Sequence, residues 1–158
     1  MDISSRRKLS FERWWPNLLR TGYTVTHEAS NNYNCFAWSI HHTDFWFAPD
    51  PEMNKVGKVF WPSEIPRQYT LDVFIKAYAT FGFIPCDNTE LEDGFEKVVL
   101  YGNNSVPEHA ARQLPNGRWS SKIGEYEVIE HNLNAFDGGR YFGSIIAILK
   151  RSMPTVTD

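Results

Sequence analysis

The sequence predicts an α+β fold in which N-terminal helices pack on a C-terminal antiparallel sheet. Helical spacing of apolar residues is confined to the first half of the 158-residue chain, whereas the second half holds short β-rich segments separated by turn residues. Strands that follow helices, instead of alternating with them, pair with one another in an antiparallel sheet. The length predicts a single domain over residues 1–158, with loose tails at 1–9 and 152–158.

Three segments are predicted to be helical. The first covers residues 11–20, with Ser10 before it as a candidate N-cap. Because Pro16 would lie inside this helix, the helix must begin near Trp15 or be kinked there. Residues 34–42 form the second helix, entered through a polar loop. The third spans about 71–81, where Thr70 is a natural N-cap for an apolar stripe.

The segment between the second and third helices is dense in aromatic residues and prolines. Residues 45–66 contain Phe45-Trp46-Phe47, Phe60-Trp61-Pro62 and Ile65-Pro66. Proline lacks the N–H group that regular structure needs, so this composition favours an ordered loop held by its aromatic side chains.

The second half is predicted to form five strands, at residues 95–101, 109–114, 117–123, 127–133 and 141–149. The run 145–149 is typical of a strand buried on both faces. Pro115-Asn116-Gly117 fits a three-residue hairpin loop with its glycine in the left-handed conformation. A two-residue Asn116-Gly117 turn is the alternative, and it would shift the register by one residue.

Composition argues against several classes of protein. Apolar residues make up 42% of the chain and aromatic residues 15%, which favours an ordered globular protein. The net charge of −3 comes from well-mixed charges, so no surface for nucleic acid or membrane is indicated, and the Arg6-Arg7-Lys8 cluster is interpreted as a solvated tail. No signal peptide or membrane-spanning run is present, which predicts a cytoplasmic protein or one exported without a signal peptide.

The pairing of Cys35 with a distant His109 is typical of a cysteine hydrolase. Cys35 stands where a polar loop turns into a predicted helix, with Asn34 as the candidate cap, and His109 opens a predicted strand. A helix N-terminus and a nearby imidazolium lower a thiol pKa by several units, and the helix start offers N–H groups to an oxyanion. The alternative is that Cys35 is a small buried hydrophobic residue.

Ser121 is the candidate third member of the site. With the three-residue loop, Ala111 lies opposite Ser121, so Ser121 shares a face with His109 and lies diagonal to it. Its hydroxyl would then orient the imidazole ring. Glu125 and Glu127 are the alternatives, because a carboxylate is the commoner orienting group.

The remaining candidates have ordinary structural explanations. His41 and His42, near Cys35, lack the spacing of a zinc site, so no metal and no cofactor is expected. His27 and His131 are interpreted as surface or satisfied core histidines, and Cys86 as inert; two cysteines are too few for a disulfide framework. Substrate-binding candidates, each of which has a cap or core explanation as well, are Asn34, Trp38, Trp46, Trp61 and Trp119.

Several short motifs resemble those of a family of short, largely uncharacterised bacterial proteins, which looks like the NlpC-type branch of the papain-like superfamily. The motifs are Y-N-C-x-A-W at 33–38, W-P at 61–62, F-G-[FY] at 81–83, E-K-[VI] at 96–98, H-A-[AS]-R-Q-L at 109–114, G-x-W-x-S-K-x-G at 117–124 and a tyrosine strand at 141–143. The likeness covers roughly residues 10–151. It implies Cys35 as nucleophile, His109 as base and the strand of Ser121 as the place of the orienting group, although no Asp, Asn or His stands there.

The sequence therefore leads to two functional hypotheses. The first is a papain-like cysteine hydrolase or acyl-transfer enzyme that acts on an amide, peptide or ester bond of a peptide, protein or other amide-containing substrate, in its own cell or as an effector or toxin in a target cell. The second is a non-enzymatic interaction module, an immunity or scaffold protein, on the same fold with a structural Cys35.

Overall fold

A computed structural model describes residues 4–53 and 57–153 of the chain. Its helices are α1 (Ser5–Trp14), α2 (Asn17–Thr21), α3 (Cys35–Ser39) and α4 (Leu71–Ala79). Its strands are β1 (Tyr23–His27), β2 (Trp46–Phe47), β3 (Val59–Phe60), β4 (Ile84–Pro85), β5 (Phe95–Asn103), β6 (Val106–Gln113), β7 (Trp119–Lys122), β8 (Val128–His131) and β9 (Ser144–Ser152). None of the described helices is long and apolar enough to cross a membrane.

The helices begin and end where capping residues and proline require. The helix expected at 11–20 is divided at Pro16, because proline cannot donate the N–H that would continue α1. The helix expected at 34–42 ends already at Ser39. The expected N-cap of α4 is confirmed, since the Thr70 hydroxyl accepts the N–H of Val73 at 3.4 Å.

The N-terminal segment is ordered from Ser4 onwards, so a loose tail over residues 1–9 is wrong for its described part. Ser4 caps α1 by accepting the N–H of Arg7 at 3.2 Å. Arg7 is not a freely solvated charge either, since its Nε lies 2.7 Å from Oε1 of Glu127. Residues 1–3, and residues 154–158 of the expected C-terminal tail, lie outside the described residues.

The α+β architecture with a mostly antiparallel sheet is confirmed. Seven strands form one sheet in the order β1-β8-β7-β6-β5-β9-β4, and neighbouring strands are antiparallel. Two edge strands were not expected from the sequence, β1 and the two-residue β4. The aromatic segment at 45–66 holds a short parallel pair, β2 with β3, and its residues 54–56 lie outside the described part.

The hairpin between β6 and β7 has the register that the three-residue loop predicts. Arg112 pairs with Ser120, and the N–H of Leu114 donates to the carbonyl of Arg118 at 2.7 Å. Gly117 has φ of 87°, the left-handed conformation that this loop needs. The two-residue alternative is therefore wrong.

Both faces of the sheet are covered, each by its own core. One face of the sheet, called here the α3 face, is covered by α3 and α4. The core on this side includes Cys35, Trp38, Phe74, Tyr78 and Ala110. The opposite face, called here the α1 face, is covered by α1, α2 and the segment before β9. The core on this side includes Phe11, Trp15, Leu18, Ala111 and Phe136. Strand β9 contributes side chains to both cores, yet its residues 145–148 are only half-buried, because its outer neighbour β4 is two residues long.

Candidate functional site

Asn34 fixes the place where α3 begins and Cys35 stands. Its Oδ1 accepts the N–H groups of Ala37 and Phe47, each at 3.0 Å, and its Nδ2 donates to the carbonyl of Phe47 at 3.1 Å. The side chain is therefore both the helix cap and the link between α3 and β2. Because Asn34 is buried with these bonds made, it supports the site by holding its backbone and does not face a substrate.

Replacing Asn34 with alanine is expected to lower the free energy of unfolding by about 2 kcal/mol, because the helix loses its cap and Phe47 loses two hydrogen bonds in the interior. Urea unfolding of Asn34→Ala measures this loss. The matched control is Asn116→Ala, which removes one exposed hydrogen bond to Arg118 N and should cost less than about 0.5 kcal/mol. Equal losses in the two variants would contradict the role assigned to Asn34.

Cys35 is enclosed by protein, with 7% of its surface exposed. Burial raises the pKa of its thiol to about 12, against the opposing effects of the Ala110 N–H, the Lys122 ammonium and the N–H groups at the start of α3. The expected lowering of the thiol pKa is therefore wrong, since loss of solvation outweighs every stabilising group. The backbone N–H groups of Ala110, Phe36 and Cys35 itself nevertheless act to lower the thiol pKa.

His109 lies on the opposite face of the sheet from Cys35. Side chains alternate along β6, so Ala110 packs with Cys35 while His109 projects into the α1 face. Its ring is stacked on Phe142 at 3.8 Å between centroids and touches Tyr101. Burial lowers the pKa of His109 well below its ordinary value, and its Nε2 has no hydrogen-bond partner in the described structure. The structure thus does not assemble the expected Cys35–His109 dyad.

Ser121 shares the α1 face with His109, as the register predicts, but its hydroxyl bonds to a different histidine. Its Oγ lies 2.6 Å from Nε2 of His131, whose Nδ1 lies 2.7 Å from the carbonyl oxygen of Asn132. The carbonyl requires the proton on Nδ1, so Ser121 donates to Nε2. His131 is thus a satisfied core histidine, as expected, and the orienting role proposed for Ser121 toward His109 is not supported. The alternative Glu127 carboxylate is bound to Arg7 instead.

The tryptophans expected to line a substrate groove are mostly in the core. On the α3 face, Trp38 donates from Nε1 to the Ser120 hydroxyl at 2.9 Å, and Trp61 donates to the carbonyl of Pro66 at 3.0 Å. Trp119 is buried on the α1 face, on the other side of the sheet from Cys35. Trp46 is half-buried and donates to the carbonyl of Asn31 at 2.7 Å. These four indoles therefore do not form one groove.

Lys122 is the charged neighbour of Cys35 that sequence reasoning missed. It is fully buried, and its Nζ donates to the carbonyls of Ser30 at 2.7 Å and Gly124 at 2.6 Å. Burial lowers the Lys122 pKa to about 8, while the negative charge of a Cys35 thiolate acts to raise it. The signal was available, because alternation along β7 places Ser120 and Lys122 on the face opposite to Ser121.

Tyr69 and two carboxylates lie within the range of electrostatic influence that includes Cys35. Burial raises the pKa of the half-buried Tyr69 to about 12, and the charges of Asp50, Cys35 and Glu108 add to this effect. Glu108 is the unpaired residue of a β-bulge in β6, between Pro107 and His109.

The other histidines and the second cysteine lie outside this arrangement. His27 is exposed and packs edge-on to Trp38, and Cys86 is half-buried directly after β4. His41 and His42 bind different carboxylates, Glu96 and Asp44. Within residues 4–53 and 57–153, no three His, Cys, Asp or Glu side chains converge in a way that would hold a metal ion.

Sequence comparison places the chain in a family. The family model described as "Domain of unknown function (DUF7689)" matches residues 24–150, which include α3, α4 and most of the seven-stranded sheet. The chain belongs to this family. No curated protein and no solved structure is significantly similar to it.

Proposed function

We propose that this member of the family is a cysteine hydrolase or acyl-transfer enzyme, papain-like in its design, that acts on an amide, peptide or ester bond through Cys35. The papain-like relation rests on a short helix that carries a cysteine against the antiparallel strands β6 and β7. The observation that carries the proposal is the place of Cys35 at the capped start of α3, where three backbone N–H groups and the Lys122 ammonium all act to lower the pKa of its thiol.

Lys122 replaces His109 as the partner of the thiol in this proposal. The Cys35 S–H bond breaks, the proton passes to the Lys122 amine, and the sulfur attacks the acyl carbon. The leaving amine or alcohol then takes the proton from Lys122, and water or another nucleophile releases the acyl group from the thioester and restores the thiol. The N–H groups at the start of α3 stabilise the negative charge that develops on the carbonyl oxygen of the substrate during the attack.

This proton transfer is uphill, because the pKa of about 12 for Cys35 lies above the pKa of about 8 for Lys122. A turnover of about 10 per second allows a barrier of about 16 kcal/mol, which leaves room for an uphill first step. A neutral Lys122 amine is substantially populated near pH 8, which places the expected activity optimum on the alkaline side.

Replacing Lys122 with methionine is expected to slow alkylation of Cys35 about tenfold between pH 7 and pH 8, where Lys122 is still largely charged, because the thiolate loses a buried positive charge. Iodoacetamide kinetics followed by mass spectrometry measure this rate, in proteins that carry Cys86→Ser so that Cys35 is the only thiol. The matched control is Lys97→Met. Lys97 is also buried, but its ammonium binds Asn88 at 2.7 Å.

A third variant separates Lys122 from His109 as the partner. His109→Leu should leave the alkylation profile unchanged, because the imidazole lies across the sheet from the sulfur. If His109→Leu slows alkylation and Lys122→Met does not, the original dyad is correct and the proposed pairing is wrong.

The second candidate, a non-enzymatic interaction module with a structural Cys35, is favoured by the burial of that residue. In such a protein Cys35 would react only when the chain unfolds. Its alkylation rate would then follow denaturant concentration, and none of the three substitutions would alter it except through stability.

A further inference from the structure

A cavity of about 450 Å³ opens on a part of the protein that does not include Cys35. It lies between the turn before β5, the end of β6 and the residue that follows β9. Its lining residues are His41, 91–96, Arg112, Gln113, Leu114, Pro115 and Met153. A volume of this size is within the range of small-molecule sites, roughly 300–1,000 Å³.

Much of the wall of this cavity is apolar and solvent-facing. Leu91 is 57% exposed and Met153 is 45% exposed, and Phe95, Leu114 and Pro115 continue the same surface. Large apolar side chains grouped around a concave site are unusual on a free surface, and such groups mark the places where ligands bind.

The polar part of the cavity is a connected chain of hydrogen bonds. Arg112 donates from Nη1 to Nδ1 of His41 at 2.8 Å, which leaves the His41 proton on Nε2 to be donated to Glu96 at 3.0 Å. Arg151 donates to the other carboxylate oxygen of Glu96. His41 has φ of 67°, which is uncommon for a residue other than glycine, and the chain of bonds holds it there.

Arg112 is the lining cation that makes no direct ion pair with a described residue, although the Glu96 charge acts on it from beyond His41. Glu96 is paired with Arg151, and Glu92 with Lys97 and Lys150, whereas no carboxylate of the described residues lies within ion-pair distance of Arg112. Its guanidinium is held by stacking on Trp38 at 4.0 Å and by donating from Nη1 to the Trp38 carbonyl at 3.0 Å.

One edge of this guanidinium is free, and Arg112 lines the cavity. Among the residues that the structure describes, Nε and Nη2 of Arg112 have no hydrogen-bond partner, and neither atom is sealed from solvent. Burial lowers the Arg112 pKa to about 10, so it remains charged at neutral pH. A fixed guanidinium with two free N–H groups matches the two oxygens of a carboxylate.

We propose that this cavity is a binding site for a small amphiphilic carboxylate, with the carboxylate on Arg112 and its apolar body against Leu91, Leu114 and Met153. The guanidinium is held in place by its hydrogen bond to the His41 ring, and the ring is held by its hydrogen bond to Glu96. The exposed Asp93 at the same cavity opposes an anion, so Asp93→Asn should tighten binding. The proposal does not depend on the reactivity of Cys35.

Titration calorimetry with decanoate, decanol and decylamine tests the proposal on the full chain. Decanoate should bind at one site with a dissociation constant at least about tenfold below those of the other two, because they lack the carboxylate. Arg112→Gln should weaken decanoate binding at least about tenfold. Arg118→Gln is the matched control, since this arginine on β7 pairs with Glu130 outside the cavity and should leave affinity unchanged.

A second variant keeps the test decisive if Arg112→Gln fails to fold. Leu91→Asp changes an exposed wall residue, so the chain should fold, and it should weaken decanoate binding at least about tenfold. Equal affinities for decanoate and decanol, or unchanged affinity in Leu91→Asp, would overturn the proposal.

Discussion

Acidification from pH 7 to pH 4.5 is expected to remove about 3 kcal/mol or more from the free energy of unfolding. Burial lowers the pKa of His131 from 6.5 to about 4. Burial also lowers the pKa of His109, and a positive charge on His131 lowers it further. Between these values the unfolded chain binds protons that the folded chain does not, so stability falls as the pH falls. The shift of His131 alone corresponds to roughly 3 kcal/mol.

The pH window distinguishes this effect from ordinary acid denaturation. The stabilisation is complete above about pH 6.5, the histidine pKa of the unfolded chain, and is lost as the pH approaches 4. Glu96 acts in a lower window. Burial raises its pKa, but hydrogen bonds from His41 and Arg151 outweigh this and lower the value to about 2, so its contribution is lost only below about pH 4.5.

Urea unfolding at pH 7, 6, 5 and 4.5 measures the change, and nuclear magnetic resonance titration of the His131 ring reports its pKa in the folded state. The His131→Asn variant should show a weaker dependence on pH, although its stability at pH 7 falls because Ser121 loses its partner. His27→Gln, which changes an exposed histidine, should behave as the wild type. A free energy of unfolding that is constant from pH 7 to pH 5 would show that these rings are not buried as described.

Replacing Cys35 with serine is expected to abolish acyl transfer while leaving the fold intact. The hydroxyl is slightly smaller than the thiol and stands at the same helix start, so the melting temperature should change by no more than a few degrees. A far less nucleophilic atom then occupies the attacking position, and the loss in kcat/KM should be on the order of 1,000-fold or more.

Hydrolysis of p-nitrophenyl acetate between pH 7 and pH 9 measures this loss, with release of p-nitrophenolate as the readout. Cys86→Ser is the control, because Cys86 follows the edge strand β4, three strands away from β6 in the sheet, and should retain wild-type activity. A wild type without activity, together with a large fall in the melting temperature of Cys35→Ser, would favour the structural cysteine of the second hypothesis.

Local features of the fold follow from the sequence because short-range chemistry decides them. Thr70 caps α4, Pro16 interrupts the first helix, and the loop closed by Gly117 sets the register of β6 against β7. Each depends on one or two residues and their backbone preferences. The edge strand β1 was missed although Tyr23–His27 is rich in β-branched residues, because its partner β8 lies about 100 residues later in the chain.

The sequence by itself determined that Cys35 begins a helix, that Asn34 caps it, and that His109 and Ser121 share one face of a hairpin. Only the tertiary structure decided which face of that hairpin α3 covers. It packs on the face of Ala110 and Lys122, because side chains in a strand alternate and a helix can cover only one set of them. A difference of one residue along β6 therefore separates His109 from Cys35, and no local pattern in the chain records that choice.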